Sequence, residues 1–454
     1  MKKNQDMLHG PLFGSIISYT IPIILTSVLQ LLFNAADLVV VGRFCGSISV
    51  AAVGATGSIT ALIVNLFIGL SVGAGVTVAH GVGSREDEVV HRTVHAAVPM
   101  ALLSGLVLTV VGVAYSERLL RMMGTPENVL ELSALYMKIY FAGITFTMVY
   151  NFCASILRAV GDTRSPLIFL TIAGVVNVLL NLIFVMVLHM NVAGVALATT
   201  ISQAISAVAV MIVLMKRTDA ARLSLRQMRL YKEQLLKMLR IGLPAGIQSS
   251  LFSISNVLIQ SSVNSFGDIL MSGNAASQNV EGFLYVTMNA FHQTAVNFTG
   301  QNVGARQYDR VKKIVGICLV SVMSVGFVMG SVMCAFGENL LSIYITDSAE
   351  AISWGLVRLN VIARFYFLCG LMDVSTGALR GMGASISPMI ISVLGVCGIR
   401  IGWIMTVFQM PRFHTPGNLY ASYLFSWTVT FLIQMFVFLR IYRKHTAGVV
   451  AERK

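Results

Sequence analysis

The chain has 454 residues, of which 56 % are apolar and only 11 % charged, and its mean hydropathy is +0.79. A soluble globule keeps about a quarter of its residues charged so that its surface is solvated; this composition excludes that class and requires lipid to cover much of the chain. The net charge of +13 does not point to nucleic acid, because the basic residues sit in short connections between apolar runs and form no continuous stripe.

In chain order, Met1 to Gly10 is short and basic. The first apolar run then exceeds signal-peptide length and lacks a small-residue cleavage site, so it is expected to persist as a helix. A membrane span needs about 20 mostly apolar residues. Twelve stretches qualify: 12–42, 50–80, 93–115, 132–157, 166–188, 192–215, 235–266, 274–300, 311–336, 352–378, 388–410 and 417–442. The stretch 274–300 is the most polar, with Asn274, Gln278, Glu281, Asn289, His292 and Gln293. The longest connection, 216–234, carries Lys216, Arg217, Arg222, Arg226, Arg229 and Lys232. The expected organisation is an all-α integral membrane protein: an N-terminal six-helix bundle over 1–215, a cytoplasmic linker over 216–234 and a C-terminal six-helix bundle over 235–454.

Lys and Arg set the orientation. With the N-terminus inside, the cytoplasmic connections hold Lys2, Lys3, Arg85, Arg92, Arg158, Arg164, the 216–240 cluster, Arg306, Arg310, Lys312, Lys313, Arg380, Arg440, Arg443, Lys444, Arg453 and Lys454. The opposite side holds Arg43, Arg118, Arg121 and Arg412. This asymmetry predicts an even helix count with both termini in the cytoplasm.

The two halves repeat. Leu157-Arg158-Ala159-Val160-Gly161-Asp162-Thr163-Arg164-Ser165-Pro166 aligns with Leu379-Arg380-Gly381-Met382-Gly383-Ala384-Ser385-Ile386-Ser387-Pro388, 222 positions later. Pro22 and Asn34 map onto Pro244 and Asn256 at the same offset, and Val82-Gly83-Ser84-Arg85 onto Val303-Gly304-Ala305-Arg306 at 221. Units of six spans each insert the same way up, as parallel repeats with a substrate pathway between them.

Polar side chains in hydrocarbon are costly and should face protein or water. Gln30, Asn34 and Asp37 share one face of the first span. Ser249, Ser253, Asn256, Gln260 and Asn264 do so on the seventh, and Gln278, Glu281, Tyr285, Asn289 and His292 on the eighth. Helix–helix hydrogen bonding explains single residues of this kind; stripes in both halves indicate an aqueous cavity. The expected cavity lining is Gln30, Asn34, Asn151, Asn256, Gln260, Gln278, Tyr285, Asn289 and His292.

Three carboxylates lie within spans: Asp37, Glu281 and Asp373. An ionised Asp at mid-bilayer costs about 2.5–3.5 kcal/mol on insertion scales, so each must be protonated, paired or hydrated. Desolvation favours the uncharged carboxyl, and such a group loads and releases a proton as its exposure changes. The alternative for Asp37 and Glu281 is a position near a helix end. For Asp373 it is a structural ion pair with Arg400 or Arg364. Asn177 and Asn181, one turn apart, and Thr199 have the oxygen atoms a hard cation beside Asp37 would use, or serve as packing hydrogen bonds. Pro22 and Pro244 each remove an intrahelical bond near the start of a long helix.

Gly69-Leu70-Ser71-Val72-Gly73 matches the G-x-S-x-G hydrolase pattern. That pattern works as a strand-to-helix turn, whereas this copy lies deep in a span, where glycines four apart serve close helix packing. No ATP-binding motif, cofactor motif or metal-ligand spacing occurs, and the six scattered cysteines read as small hydrophobes. Transport is therefore expected to run on an ion gradient, and no enzymatic activity is expected.

On these residues the chain resembles the multidrug and toxic compound extrusion (MATE) family over its whole length. The marks are Pro22 with Asp37 fifteen residues later, the run from Asp37 to Arg43, the region Ala51 to Gly83, and the twice-present Leu-Arg-x-x-Gly-x-x-x-Ser-Pro element. The resemblance implies twelve helices in two bundles that open alternately to each side of a bacterial cytoplasmic membrane. It implies export of small amphipathic or cationic compounds against protons or sodium, by a protein expected to be monomeric. By the same resemblance Asp37 is the coupling acid, with Asn177, Asn181 and Thr199 around it. Asp373 matches an acid used for cation binding in the second bundle, and Glu281 completes the expected ion-coupling set. Some members carry a carboxylate where Asn181 stands; here that charge is missing. A lipid-linked oligosaccharide flippase of related design is the alternative. Such flippases have a strongly cationic cavity, whereas here Arg358, Arg364 and Arg400 are expected to be balanced by the acids and the neutral stripes.

Overall fold

The computed structural model describes residues 5–346 and 348–452; Lys2, Lys3, Arg453 and Lys454, counted above for orientation, lie outside them. Among the described residues the fold is all helical. The chain is rich in glycine and β-branched residues, poor helix formers in water. In lipid, however, each backbone N–H and C=O must be satisfied within the segment, which leaves the helix as the available single-segment solution.

The spans are α1 (Leu12–Phe44), α2 (Ser47–Ser84), α3 (Asp87–Met122), α4a (Glu127–Ala142) with α4b (Ile144–Ala159), α5 (Arg164–Leu182) and α6 (Asn191–Met215). The second half gives α7 (Lys232–Asn264), α8 (Asp268–Gly304), α9 (Tyr308–Ala335), α10a (Ala349–Val361) with α10b (Phe367–Gly381), α11 (Ile386–Ser392, continued by Val393–Gly398 and Ile399–Met405) and α12 (Pro416–Glu452). Among the described residues, eight helices are long and apolar enough to cross a membrane, or ten if each bent pair counts as one span. The remaining two of the twelve are α7 and α8. With 33 and 37 residues they have ample length, but their amide and hydroxyl stripes lower their hydropathy.

The repeat extends to backbone detail. Gly46 and Gly267, 221 positions apart, precede α2 and α8 with φ of 86° and 93°, a region glycine enters without steric cost. Arg85 and Arg306, after the same two helices, are left-handed at φ 58° and 56°. The fourth and tenth spans are bent by 46° and 43°. The π-turn Ile183–Val187 ends the fifth, and Val393–Gly398 interrupts the eleventh. The bends were not foreseen from composition; the first falls at Gly143, where the Thr200 side chain occupies the space a Cβ would need.

Two compact units result. The first contains Leu25–Ser250; the second contains Met7–Ile24 and the chain from Leu251 onward. Each long repeat-opening helix, α1 and α7, is thus divided between them. Within the first unit, α2 packs on α3 and α4b, and α4b on α6; within the second, α8 packs on α9 and α10b, and α10b on α12. The first core centres on Phe141, Phe152, Met148 and Leu157, the second on Phe291, Phe298, Met288 and Tyr420. Large apolar residues stand outward: on α3, Leu103, Leu106 and Val110 are exposed on one helical face, which in water would be an aggregation surface and in a bilayer is the lipid contact.

The G-x-S-x-G glycines of α2 form a packing seam. A Cβ on Gly69 would stand 2.2 Å from the Gly246 nitrogen, and one on Gly73 2.1 Å from the Met238 carbonyl. Gly242 and Gly246 of α7 offer the same spacing in return, with clashes against Leu70 and Leu66 backbone. The linker folds back onto the start of α3. There the buried His95 accepts the Ser224 N–H at Nε2 (3.0 Å), and its carbonyl accepts the Arg229 N–H (3.2 Å). His91 Nε2 bonds Gln227 Oε1 (3.0 Å) and the two imidazoles lie 4.1 Å apart. In the linker, burial pushes the Asp219 carboxyl up, but hydrogen bonds and charge from Arg217 outweigh it and hold the group below its ordinary value.

Candidate ion and substrate site

In the first unit a single acid is surrounded by neutral oxygen and amide groups. Asp37 is half-buried on α1. Asn181 Nδ2 donates to its Oδ1 (2.5 Å) and Thr199 Oγ1 to its Oδ2 (3.2 Å). Asn181 also donates to Asn177 Oδ1 (3.3 Å), and Asn177 Nδ2 donates to Thr199 Oγ1 (3.4 Å). The i, i+4 spacing on α5 puts both amides on one face, and α6, packed directly on α5, brings Thr199 beside them. No cation contacts this carboxylate among the described residues, and Asn181 Oδ1 is buried with no hydrogen-bond partner. A carboxylate, two amide oxygens and a hydroxyl within one pocket can take a proton or a small hard cation. The three residues expected around this acid, Asn177, Asn181 and Thr199, are therefore brought together with it.

The second unit holds a more elaborate polar track. Glu281 and Arg358 form a buried bidentate pair (2.9 and 2.7 Å), 5 % and 3 % exposed. Arg358 also donates to Asn274 Oδ1 (2.8 Å), which accepts from the Tyr420 hydroxyl (3.2 Å). The guanidinium lies over the rings of Tyr420 and Tyr423. Glu281 is thus neither near a helix end nor an open carboxylate: its charge is met by Arg358. The alternative of a structural ion pair for Asp373 is not met: among the described residues it bridges to neither Arg400 nor Arg364, and its carboxyl group makes no hydrogen bond. His292, expected to line a cavity, is buried: Nδ1 donates to the Asp373 carbonyl (2.7 Å) and Nε2 accepts from Arg380 (3.4 Å). Arg380, expected at the cytoplasmic surface, is itself 6 % exposed.

Of the remaining expected lining residues, Gln30, Asn34, Asn256, Gln278 and Tyr285 are exposed and Asn289 is half-buried. Gln260 gathers an amide cluster, accepting from Asn274 (3.2 Å) and Gln278 (3.5 Å) and donating to Asn264 (2.9 Å). Asn151 donates to the Thr147 carbonyl one turn back (2.8 Å) and so is spent within its own helix. Sequence reasoning missed the role of Asn274, which joins the amide cluster to the Glu281–Arg358 pair. It also missed the stack of Arg400 on Tyr423 (3.9 Å to the ring centre) and Trp427 (5.5 Å). No spacing rule links residues on different helices.

These two units, each carrying polar groups on its span faces and each repeating the other's bends, correspond to a recognised duplication. The MatE family model matches residues 22–183 and again residues 244–405. The chain belongs to the MatE family of membrane transporters. Among its relatives are the probable multidrug resistance proteins YpnP and YoeA of Bacillus subtilis (strain 168). YpnP is 29 % identical over 400 residues, covering 88 % of this chain and 89 % of the relative; YoeA is 26 % identical over 404 residues, covering 87 % of each. The fold matches the crystal structure of MATE in complex with MaL6 with a TM-score of 0.91 and 20 % identity, over 98 % of this chain and all of that one.

Proposed function

We propose that this protein exports small amphipathic or cationic compounds by alternating access, in exchange for protons or sodium ions entering through the Asp37 site. The observation that carries this reading is the Asp37 pocket itself. A carboxylate in a transmembrane helix, held by Asn181 and Thr199 with no cation against it, is costly unless something neutralises it. A transported cation does so, and its arrival and departure can bias the exposure of the pocket to one side or the other. The orphaned Asn181 oxygen adds a ligand for that cation. The relatives named for multidrug resistance supply the cargo class. A charge-neutral amide cannot perform this exchange, since it neither loads a proton nor repays the dehydration of a cation.

The test is efflux from proteoliposomes under separately imposed pH and sodium gradients, using a fluorescent organic cation such as ethidium. Export by the unaltered protein should follow one gradient and stop when it is collapsed. Asp37→Asn should insert and fold normally, yet lose gradient-driven export by a factor of about a hundred or more, the equivalent of at least ~2.7 kcal/mol. Gradient-independent export, or full activity in the variant, would refute the reading.

A further inference from the structure

Arg358 and Arg400, both deeply buried in the second unit, are treated very differently. Arg358 meets a bidentate carboxylate, an amide oxygen and two ring faces. Arg400 is equally buried at 4 % exposure, but its only hydrogen bond to protein among the described residues runs from Nε to the Ser426 hydroxyl (3.0 Å). Among the described residues the terminal NH₂ groups of its guanidinium have no acceptor. Among the same residues its charge is met by the faces of Tyr423 and Trp427, which attract a cation weakly and accept no in-plane N–H. A buried charge is ordinarily paired with an opposite one, and an arginine fork matches a planar two-oxygen anion in particular. The surroundings are apolar and aromatic, with Tyr366 and Cys369 of the tenth span and Cys397 within electrostatic range. Arg400 stands two residues beyond the end of the π-turn Val393–Gly398, a helix irregularity frequent at functional sites.

We infer that Arg400 is an anion-binding residue, open to a carboxylate or sulfonate carried on an apolar body and seated against Tyr423 and Trp427. As a statement about cargo, that ligands of this transporter bear an anionic group, it rests on the export reading above. As a statement about binding, it is independent of transport. Asp373 is a nearby acid that could compete, since Cys369 interacts with both groups; Glu281, also in this region, is held by Arg358.

Trp427 lies against the guanidinium and reports on it. In a Trp354→Phe, Trp403→Phe background reconstituted in nanodiscs, octanoate should quench Trp427 saturably. Its half-saturating concentration should be about ten-fold below that of octan-1-ol, the effect of one charge-assisted hydrogen-bonded contact. Arg400→Gln should abolish that difference and Arg400→Lys should keep part of it, with sodium chloride and sodium phosphate giving no comparable response. Equal half-saturation for octanoate and octan-1-ol in the unsubstituted Arg400 protein would overturn the proposal even if Arg400→Gln fails to fold. So would octanoate binding that appears only in Asp373→Asn, since Arg400 would then be occupied by that acid. If binding behaves as expected while gradient-driven export fails, the anion site stands and the export reading falls.

Discussion

Glu281 and Asp37 are both acids in transmembrane helices, yet their surroundings assign them different work. Glu281 is locked by two hydrogen bonds from Arg358; releasing it for cation binding would strand a guanidinium in the core. Glu281→Gln should therefore act as a stability lesion. Removing one partner of a buried pair costs about 3–5 kcal/mol, whereas replacing both with apolar residues is often neutral. The single variants Glu281→Gln and Arg358→Met are expected to lose detergent-solubilised folded protein on heating well below the unaltered chain, and Glu281→Leu with Arg358→Met to recover much of that loss. Thermal midpoints by fluorescence-detected size exclusion check this, and an undiminished midpoint in the singles would contradict it. Asp37, by contrast, is hydrogen-bonded among the described residues to an amide and a hydroxyl and to no cation, and Asp37→Asn should leave the midpoint close to unaltered. The cluster at Asp37 was legible from helical spacing and family resemblance. The fate of Glu281 was not, because its partner is 77 positions away and helical phase says nothing about which helix lies opposite.

At the scale of elements, two contacts carry testable weight. The α2–α7 seam depends on hydrogen in place of side chains at Gly69, Gly73, Gly242 and Gly246, since backbone atoms of the opposite helix fill the space. Gly73→Val forces these helices apart or strains them, by about 1–3 kcal/mol or more. The expected readout is a reduced yield of monodisperse protein, while Gly57→Ala, facing open space, should be silent. The second contact is the linker latch. His95 must present an unprotonated Nε2 to accept the Ser224 N–H, and His95→Ala leaves that donor without a partner, at about 1–3 kcal/mol. Trypsin should then cut faster at Arg222, Arg226 and Arg229, with the helical cores still resistant; unchanged cleavage would show that the latch does not hold the linker. The hydrolase-like motif was correctly read as packing. Its counterpart Gly242 and Gly246 in α7 has no sequence signal of its own, because which helix a glycine meets is set by folding.

For the whole molecule, the charge asymmetry between connections predicts one orientation. Single cysteines replacing Arg43 or Arg412 in a cysteine-free background should react with an impermeant maleimide added to intact cells. Cysteines at Arg229 or Lys313 should react only after permeabilisation, and the reverse pattern would invert the topology. The sequence alone determined the class of protein, the number and place of its spans, the twofold repeat and the three acids that lie within spans. These follow from transfer energetics and periodicity, which act on residues near one another in the chain. Tertiary structure decided which buried charges are neutralised, which remain open, and which glycines meet across helices. Each of those depends on the partner that folding brings from a distant segment, and a desolvated charge or a close backbone approach has no energy until that partner is in place.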